Sequence, residues 1–418
     1  MTEFLNLYKD TQLNLDLGIN EVRNFPRYEN LGIDNFEYYT ADKFNKLQNL
    51  ENDLKIINLN VRGLDRNYDN MINFLATIET KFHIIIVTEC HIQAANLYNF
   101  DMHNKFPLTG YNLFYIKSKA KYGGVVVYVH NSLNASYLPE LTVTNEICDA
   151  LYLNISCEKL NLVVGGYYRH CSSKSADKKL FIELLEAQLS NKLVRNKPKL
   201  IAGDLNIDLM KCMQNADSLL LFNTLVQNNL ENHIFMPTRI EHYKNSLQVR
   251  SATLIDTICS NLLNYKCKSG NMYYTGSDHF PNFLIVENFL QARTNKPNQT
   301  SKRRFFNRIN TDELNNDLEN IKWDDLVLHE NNINSCFENI INQCQTLLDK
   351  HAPLTNISNR KAKHINFKPW VDSELLQELK IKSSLYEKKK KLNSDSNNEN
   401  YRHQKNKVTS LTRKKKTK

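Results

Sequence analysis

KLIAGDLNID, residues 199–208, joins a short apolar run to an aspartate and an asparagine. Lys199 to Gly203 read as a buried strand, and Asp204 and Asn206 follow where that strand should end. The same grammar recurs on both sides of it. LKIINLNV (54–61) carries Asn60, HIIIVTE (83–89) closes on Glu89, and LNLVVGGYY (160–168) runs into Tyr168, Arg169 and His170. LIDTICS (254–260) holds Asp256 inside an apolar run, and GSDHFPNF (276–283) sets Asp278 and His279 before another. GGVVVYV (123–129) and FPNFLIV (280–286) complete the set of strand-like runs rich in Ile, Val and Tyr. Between them, DNMINFLATIET (69–80) and DKKLFIELLEAQLSNKLV (177–194) place apolar residues at helical spacing. Strands interleaved with helices predict an α/β layered domain.

A carboxylate beside a buried strand is costly unless it is paired or bound to a cation. One alone reads most simply as a structural hydrogen bond. Glu89, Asp204, Asp256 and Asp278, joined by Asn60, Asn206, Tyr168 and His279, are harder to explain that way. Ligands of layered α/β proteins collect where strands end, so residues far apart in sequence can converge. Carboxylate and amide oxygens suit a hard ion such as Mg²⁺, or Mn²⁺. Phosphodiester cleavage needs charge neutralised on phosphoryl oxygens, an oriented water and help for the leaving oxygen. Such a set supplies each, with His279 as proton donor or acid–base group. GxSxG, GxxxxGK[ST] and GxGxxG are absent, which disfavours a serine nucleophile and nucleotide-dependent phosphoryl transfer.

Outward from the strand-rich zone the texture changes. Residues 1–52 are polar and aromatic with little periodicity and are expected to form a loosely structured leader. The layered domain is expected over 53–290, a polar linker over 291–311, and a helical, basic connector over 312–418. Net charge divides in the same way. Residues 360–418 hold 18 Lys and Arg against 6 Asp and Glu, leaving 36 against 39 in the rest of the chain. A near-neutral body with a basic end, including Lys388 to Lys391 and Arg413 to Lys416, fits a nucleic-acid partner. Exposed, solvated helices or a nuclear localisation signal fit the composition as well.

The 41% hydrophobic content allows a sizeable core, and no run approaches 18 apolar residues, so no membrane span is expected. The N-terminus lacks a basic region followed by an apolar one. Nine cysteines, an odd number without CxxC pairs, suggest reduced thiols. Together these point to an intracellular protein, nuclear or cytoplasmic.

NLNVRGL (58–64), VTECHI (87–92), YYRHC (167–171), GDLNIDL (203–209), SATLIDTICSN (251–261) and SDHFPNFLI (277–285) resemble, in order and spacing, the endonuclease/exonuclease/phosphatase family. They look most like its branch in non-LTR retrotransposons, where an apurinic-endonuclease-like domain precedes a reverse transcriptase. YYTADKFNKL (38–47) and FKPWVDSELLQELKIKSSLYEKKK (367–390) look like the flanks of such reading frames. The resemblance implies a four-layered α/β sandwich, two packed and mainly antiparallel sheets flanked by helices. It implies a metal-dependent DNA endonuclease that leaves a 3′-hydroxyl, truncated here before the polymerase.

Roles transfer by motif. Asn60, Glu89 and Asp278 match the metal-side groups, Tyr168 the contact to the scissile phosphate, and Asp204 with Asn206 the water-orienting pair. Asp256 matches the partner of the catalytic histidine, His279. TRIEHYKNSLQVRS (238–251) matches a loop that enters a DNA groove, with Arg239, Lys244 and Arg250 as candidate phosphate contacts; an ordinary polar surface loop fits it equally. The basic C-terminal region is a candidate RNA contact. Cys171 and Leu205 depart from the common Pro and Phe. Arg62 stands where the apurinic-site repair branch has Asp, which weighs against a repair enzyme. A phosphoinositide- or sphingomyelin-type phosphodiesterase of the same fold, and a non-catalytic nucleic-acid-binding remnant, stay open as alternatives.

Overall fold

The computed structural model describes residues 38–47, 52–92, 101–157, 160–172, 174–243, 249–290, 301–304, 308–326, 332–357, 370–391 and 394–416. Two seven-stranded sheets form its centre. In the first, neighbours run β1 (Tyr38–Tyr39), β15 (Cys267–Met272), β16 (Asn282–Val286), β2 (Leu54–Asn60), β3 (Ile84–Thr88), β5 (Val125–His130) and β4 (Tyr111–Ile116). In the second they run β11 (Glu231–Asn232), β14 (Asp256–Ser260), β10 (Lys199–Asp204), β9 (Leu160–Arg169), β8 (Cys148–Cys157) and β6 (Asn134–Tyr137), with β7 (Val143–Thr144) also on β8. Most neighbours are antiparallel; β1 with β15, β2 with β3, and β9 with β10 are parallel. The expected two-sheet sandwich is the fold observed.

The sheets pack face to face through one large core. Ile56, Ile84, Ile86, Val125 and Val127 of the first sheet meet Leu151, Leu153, Val164, Leu200 and Ile258 of the second. The alternate residues Ile57, Leu59, Ile85, Val87, Val126 and Phe283 turn to the other face of the first sheet, under the helix Leu64–Ala76. Both faces of these strands are therefore buried, which is why they read as continuous apolar runs instead of alternating ones. Gly166 faces the first sheet, where an added Cβ would come within 3.0 Å of Val125 and 3.3 Å of Ile86. The helices Ser175–Ser190 and Ala216–Gln227 bury Phe181, Leu185, Leu221 and Leu225 against the outer side of the second sheet.

Two sequence expectations need correcting at the edges of this domain. Residues 38–47, expected in the loose leader, belong to the body. Tyr38 and Tyr39 pair with Asn271 and Met272, and Phe44 is fully buried against Phe82 and Phe283. Two tyrosines and a short amphipathic turn are enough to add an edge strand, though too short to show a period. The remainder of 1–52 lies outside the described residues except Asn52.

The connector is corrected too. The chain divides into one compact unit of 1–292 with 367–418 and another of 293–366. The helices α8 (Ser373–Lys391) and α9 (Asp395–Lys416), numbered after the seven α-helices that precede them among the described residues, therefore pack with the body. Val371, Leu375, Leu379 and Val408 cluster with Ala76. In the second unit a short ladder, β17 (Ser301–Arg303) with β18 (Thr355–Ile357), accompanies the helices Thr311–Glu319 and Ile333–His351. There Arg304 donates to the carbonyls of Leu348 and Ala352 and pairs with Asp349. No described helix is long and apolar enough to cross a membrane.

Candidate active site

Strand register assembles the site. In the second sheet Asp204 is directly opposite Tyr168 on one side and Asp256 on the other, so the three side chains share one face. In the first sheet Asn60 is opposite Thr88, which puts Glu89 one residue beyond at the same end. Asn60 then joins the sheets: its Nδ2 donates to Glu89 Oε2 at 2.9 Å and to Asp204 Oδ2 at 2.8 Å. The Asn60 Oδ1 accepts from the Arg62 amide. Asn60 thus meets both carboxylates as a donor that holds them together.

Backbone strain is concentrated here. Among the described residues six non-glycines have φ between 49° and 56°, and Arg62, Glu89, His91 and Asn206 are four of them. Left-handed backbone costs roughly 1–3 kcal/mol at a residue other than glycine and collects at functional sites. Gly203, immediately before Asp204, has φ 148°, and a Cβ there would fall 1.9 Å from the Tyr167 carbonyl. Buried Arg169 stabilises the turn after Asp204, donating to the carbonyls of Leu205 and Asn206, while Asn206 Nδ2 donates back to the Arg169 carbonyl. The Asn206 amide donates to Asp204 Oδ1 at 3.0 Å.

His279 is buried, with Nδ1 2.8 Å from Asp256 Oδ2, which leaves Nε2 as its other polar atom. Thr238 anchors this pair: its hydroxyl accepts from the Asp256 amide and its carbonyl from the Phe280 amide. Burial opposes a charge on His279, but Asp256, together with Asp204 and Asp278, outweighs it and raises the imidazole to about 9. Burial and the neighbouring Asp256 push Asp204 up to about 7. Burial also works against ionised Glu89, yet hydrogen bonds from His91 and Asn60 hold it below its ordinary value.

Asp278, expected on the metal side, is engaged by two arginines. Its Oδ1 accepts from Arg62 at 2.8 Å and its Oδ2 from Arg239 at 2.9 Å. With both oxygens engaged by guanidinium groups, Asp278 positions the two arginines. Arg239 is further tied to Glu241 at 2.8 Å, so this expected DNA contact is held at the cleft edge in a network of charges. Arg250 is exposed on the hairpin formed by β12 (Arg239–His242) and β13 (Val249–Thr253), apart from the cleft lining. Lys244 lies outside the described residues.

These groups surround one open cleft of about 730 Å³, whose lining includes Glu89, Tyr168, Asp204, Asn206, Asp278 and His279. Glu89 and His279, far apart in sequence, face the same space. Among the lining residues that carry no site role in the sequence reading are Arg62, His91 and Lys405. Arg62 stands out there only as a departure from the family, His91 pairs with Glu89 at 3.3 Å, and Lys405 comes from α9.

Two groups of side chains could hold a cation. Ligand atoms of Asp204, Asp256 and His279 lie within 4.8 Å of one another. His279 Nδ1 is taken up by Asp256, however, and the surrounding carboxylates raise the basicity of the ring, which favours its role as a proton donor. Glu89 with Asp204 beside it is the better match: two hard oxygen donors, tied together by Asn60 and opening on the cleft.

Residues 57–212 match the profile of the Endonuclease/Exonuclease/phosphatase family. Its members are hydrolytic phosphodiesterases and nucleases that typically use a divalent metal. No curated protein sequence matches the chain. Solved structures similar to it include the endonuclease domain of TRAS1, a telomere-specific non-LTR retrotransposon, at 14% identity and TM-score 0.43, covering 58% of this chain and 100% of that one. The AP endonuclease LMAP from Leishmania major is 14% identical with TM-score 0.48, covering 63% and 96%. TDP2 from D. rerio complexed with single-strand DNA product is 14% identical with TM-score 0.41, covering 56% and 99%.

Proposed function

We propose that this domain of the Endonuclease/Exonuclease/phosphatase family is a divalent-metal-dependent DNA endonuclease of a retrotransposon-like protein, nicking one strand to leave a 3′-hydroxyl. What supports the reading above all is the meeting of a Glu89–Asn60–Asp204 cluster with an Asp256–His279 pair across one cleft. A phosphodiester in that cleft would have carboxylates on one side and a cationic imidazole on the other.

Each side chain then has a task. Asp204, whose Oδ1 is aligned by the Asn206 amide, orients the attacking water and takes its proton. The water oxygen bonds to phosphorus as the bond from phosphorus to O3′ breaks, and the departing oxygen takes a proton from solvent to end as the 3′-hydroxyl. His279 Nε2 donates to a phosphoryl oxygen, while Asp256 fixes the ring and stabilises its charge. Tyr168, whose hydroxyl is kept protonated by burial and by Glu89 and Asp204, donates to the same phosphate. Mg²⁺ or Mn²⁺ held by Glu89 and Asp204 would supply neutralisation of the developing charge. Asp278 holds Arg62 and Arg239 toward the phosphate backbone.

The test is nicking of supercoiled plasmid by the full chain. We expect nicks with Mg²⁺, none with EDTA, and none above background for Glu89→Ala or His279→Ala. Undiminished nicking by both variants would remove the site from consideration. Hydrolysis of phosphoinositide or sphingomyelin without nicking would transfer the same chemistry to lipid head groups.

A further inference from the structure

Helices α8 and α9 bring lysines to the mouth of the cleft from outside the family-matched segment. The rings of Tyr386 and Tyr401 meet at 5.3 Å, tilted by 49°, Tyr386 meets Tyr273 edge-on, and both belong to a cluster with Ile240 and Phe280, the residue after His279. Lys390 Nζ reaches the Ile240 carbonyl at 3.4 Å and lies over the Phe280 ring. The helical hairpin is thus seated on Phe280, next to the catalytic histidine in the segment before β16. One helical turn after Tyr401 comes Lys405, which lines the cleft itself.

We propose that Lys382, Lys389 and Lys405 form a phosphate-binding site that takes a DNA phosphate next to the scissile one. The proposal rests on reading the cleft as a nuclease site. Lys382 and Lys389 are seven residues apart on α8, hence on one face, and Lys389 Nζ lies 5.1 Å from the Tyr401 ring centroid on α9. Lys382 is 5% exposed. Burial, then repulsion from Lys405, lowers the basicity of both Lys382 and Lys389, and no carboxylate among the described residues offsets it. Lysines that repel one another across the hairpin are unfavourable in the free protein and favourable once an anion arrives.

The neighbouring lysines behave differently. Lys391 pairs with Glu387, Lys407 with Glu378, Lys415 with Asp372 and Glu374, and Lys416 with Asp69. The long basic runs that stand out in sequence are used in part to attach the hairpin, whereas Lys405, isolated in sequence, faces the substrate. An acidic protein partner would want an exposed patch. A lysine that opens into a phosphodiesterase cleft, as Lys405 does, fits a strand of DNA.

The experiment measures binding of a duplex oligonucleotide to the full chain in EDTA across a salt series, and nicking with Mg²⁺ separately. Removing one phosphate-binding cation should reduce the slope of log K against log salt by about 0.9. Lys405→Ala should lower it by about 1, and the triple alanine variant of Lys382, Lys389 and Lys405 by about 2–3, weakening binding on the order of 10-fold or more at 0.1 M salt. Lys192→Ala, outside the cleft, is the charge-matched control and should leave the slope alone. Lys382→Met should raise Tm while weakening binding, a combination that a merely structural lysine would not give. An unchanged slope in the triple variant, or an equal loss in the control, overturns the site while wild-type nicking leaves the function standing. A wild type that binds but never nicks, with the slope still reduced in the triple variant, retains the site and overturns the nuclease reading.

Discussion

The cleft and the C-terminal hairpin are both rich in charge, and they use it in opposite ways. In the cleft, carboxylates are buried, in strict register, and supported by strained backbone. Asp204, Asp256 and Asn60 are each no more than 2% exposed. On the hairpin, most identified ion pairs sit at the surface, and apolar contacts from Leu375, Leu379 and Val408 do the docking. Charge therefore says little about function until its burial is known. A buried charge must be compensated, so its partners are specified; an exposed one has water as an equal alternative.

The sharpest break in this contrast is chemical. Asp256→Asn keeps the shape but lowers the charge beside His279, and should reduce the nicking rate on the order of 10²–10⁴-fold with the melting temperature little changed. Retention of full activity would show that the register of Asp204 with Asp256 carries no chemistry. Arg62→Ala frees one oxygen of Asp278 and should cost about 10-fold, chiefly in KM, as expected for a group that binds the phosphate backbone. A loss confined to kcat would instead put Asp278 among the reacting groups.

Stability tests the other half of the comparison. Leu375→Ala removes a fully buried side chain under the hairpin and should cost about 2–5 kcal/mol by denaturant titration. Lys415→Ala breaks two surface ion pairs and should leave the transition where it was. The reverse ranking would mean that charge, not apolar burial, fastens α8 and α9.

The smallest effect is one of pH. Burial keeps His233 neutral, down to about 4, and does the same for His130, to about 4, and His83, to about 3. Their folded values lie below the ordinary 6.5, so the unfolded chain binds protons first as pH falls. Stability should be flat above about 6.5 with respect to these groups and decline toward 4. The slope should shrink in His233→Gln, whose side chain can still reach Ser260 Oγ, the partner 2.8 Å away in the parent. An unchanged acid limb in that variant would assign it elsewhere.

Much of the site is legible in sequence because of how strand ends work. Asp204 and Asn206 follow KLIAG, Glu89 follows HIIIVT, and His279 precedes FPNFLIV; in each case a polar group ends an apolar run that has to be buried. Arg62 and His91 are less visible, since neither interrupts a periodic pattern and both act through a left-handed backbone that has no signature in residue type. Lys405 is invisible: its role comes from a helix packed across the chain, and nothing in its sequence surroundings separates it from the more conspicuous lysine runs.

Sequence by itself determined an α/β layered domain and the pool of polar residues available at its strand ends, because hydrophobic periodicity and residue chemistry are local properties, while the two-sheet sandwich followed from the resemblance of its motifs. Only the tertiary structure decided which of those residues meet. Asn60 bridges Glu89 and Asp204, Asp278 turns to two arginines, and a C-terminal helix closes on the cleft; each of these depends on sheet register and long-range packing. Distances between groups 144 or 216 positions apart follow from how burial brings the surfaces together, and no local pattern encodes them.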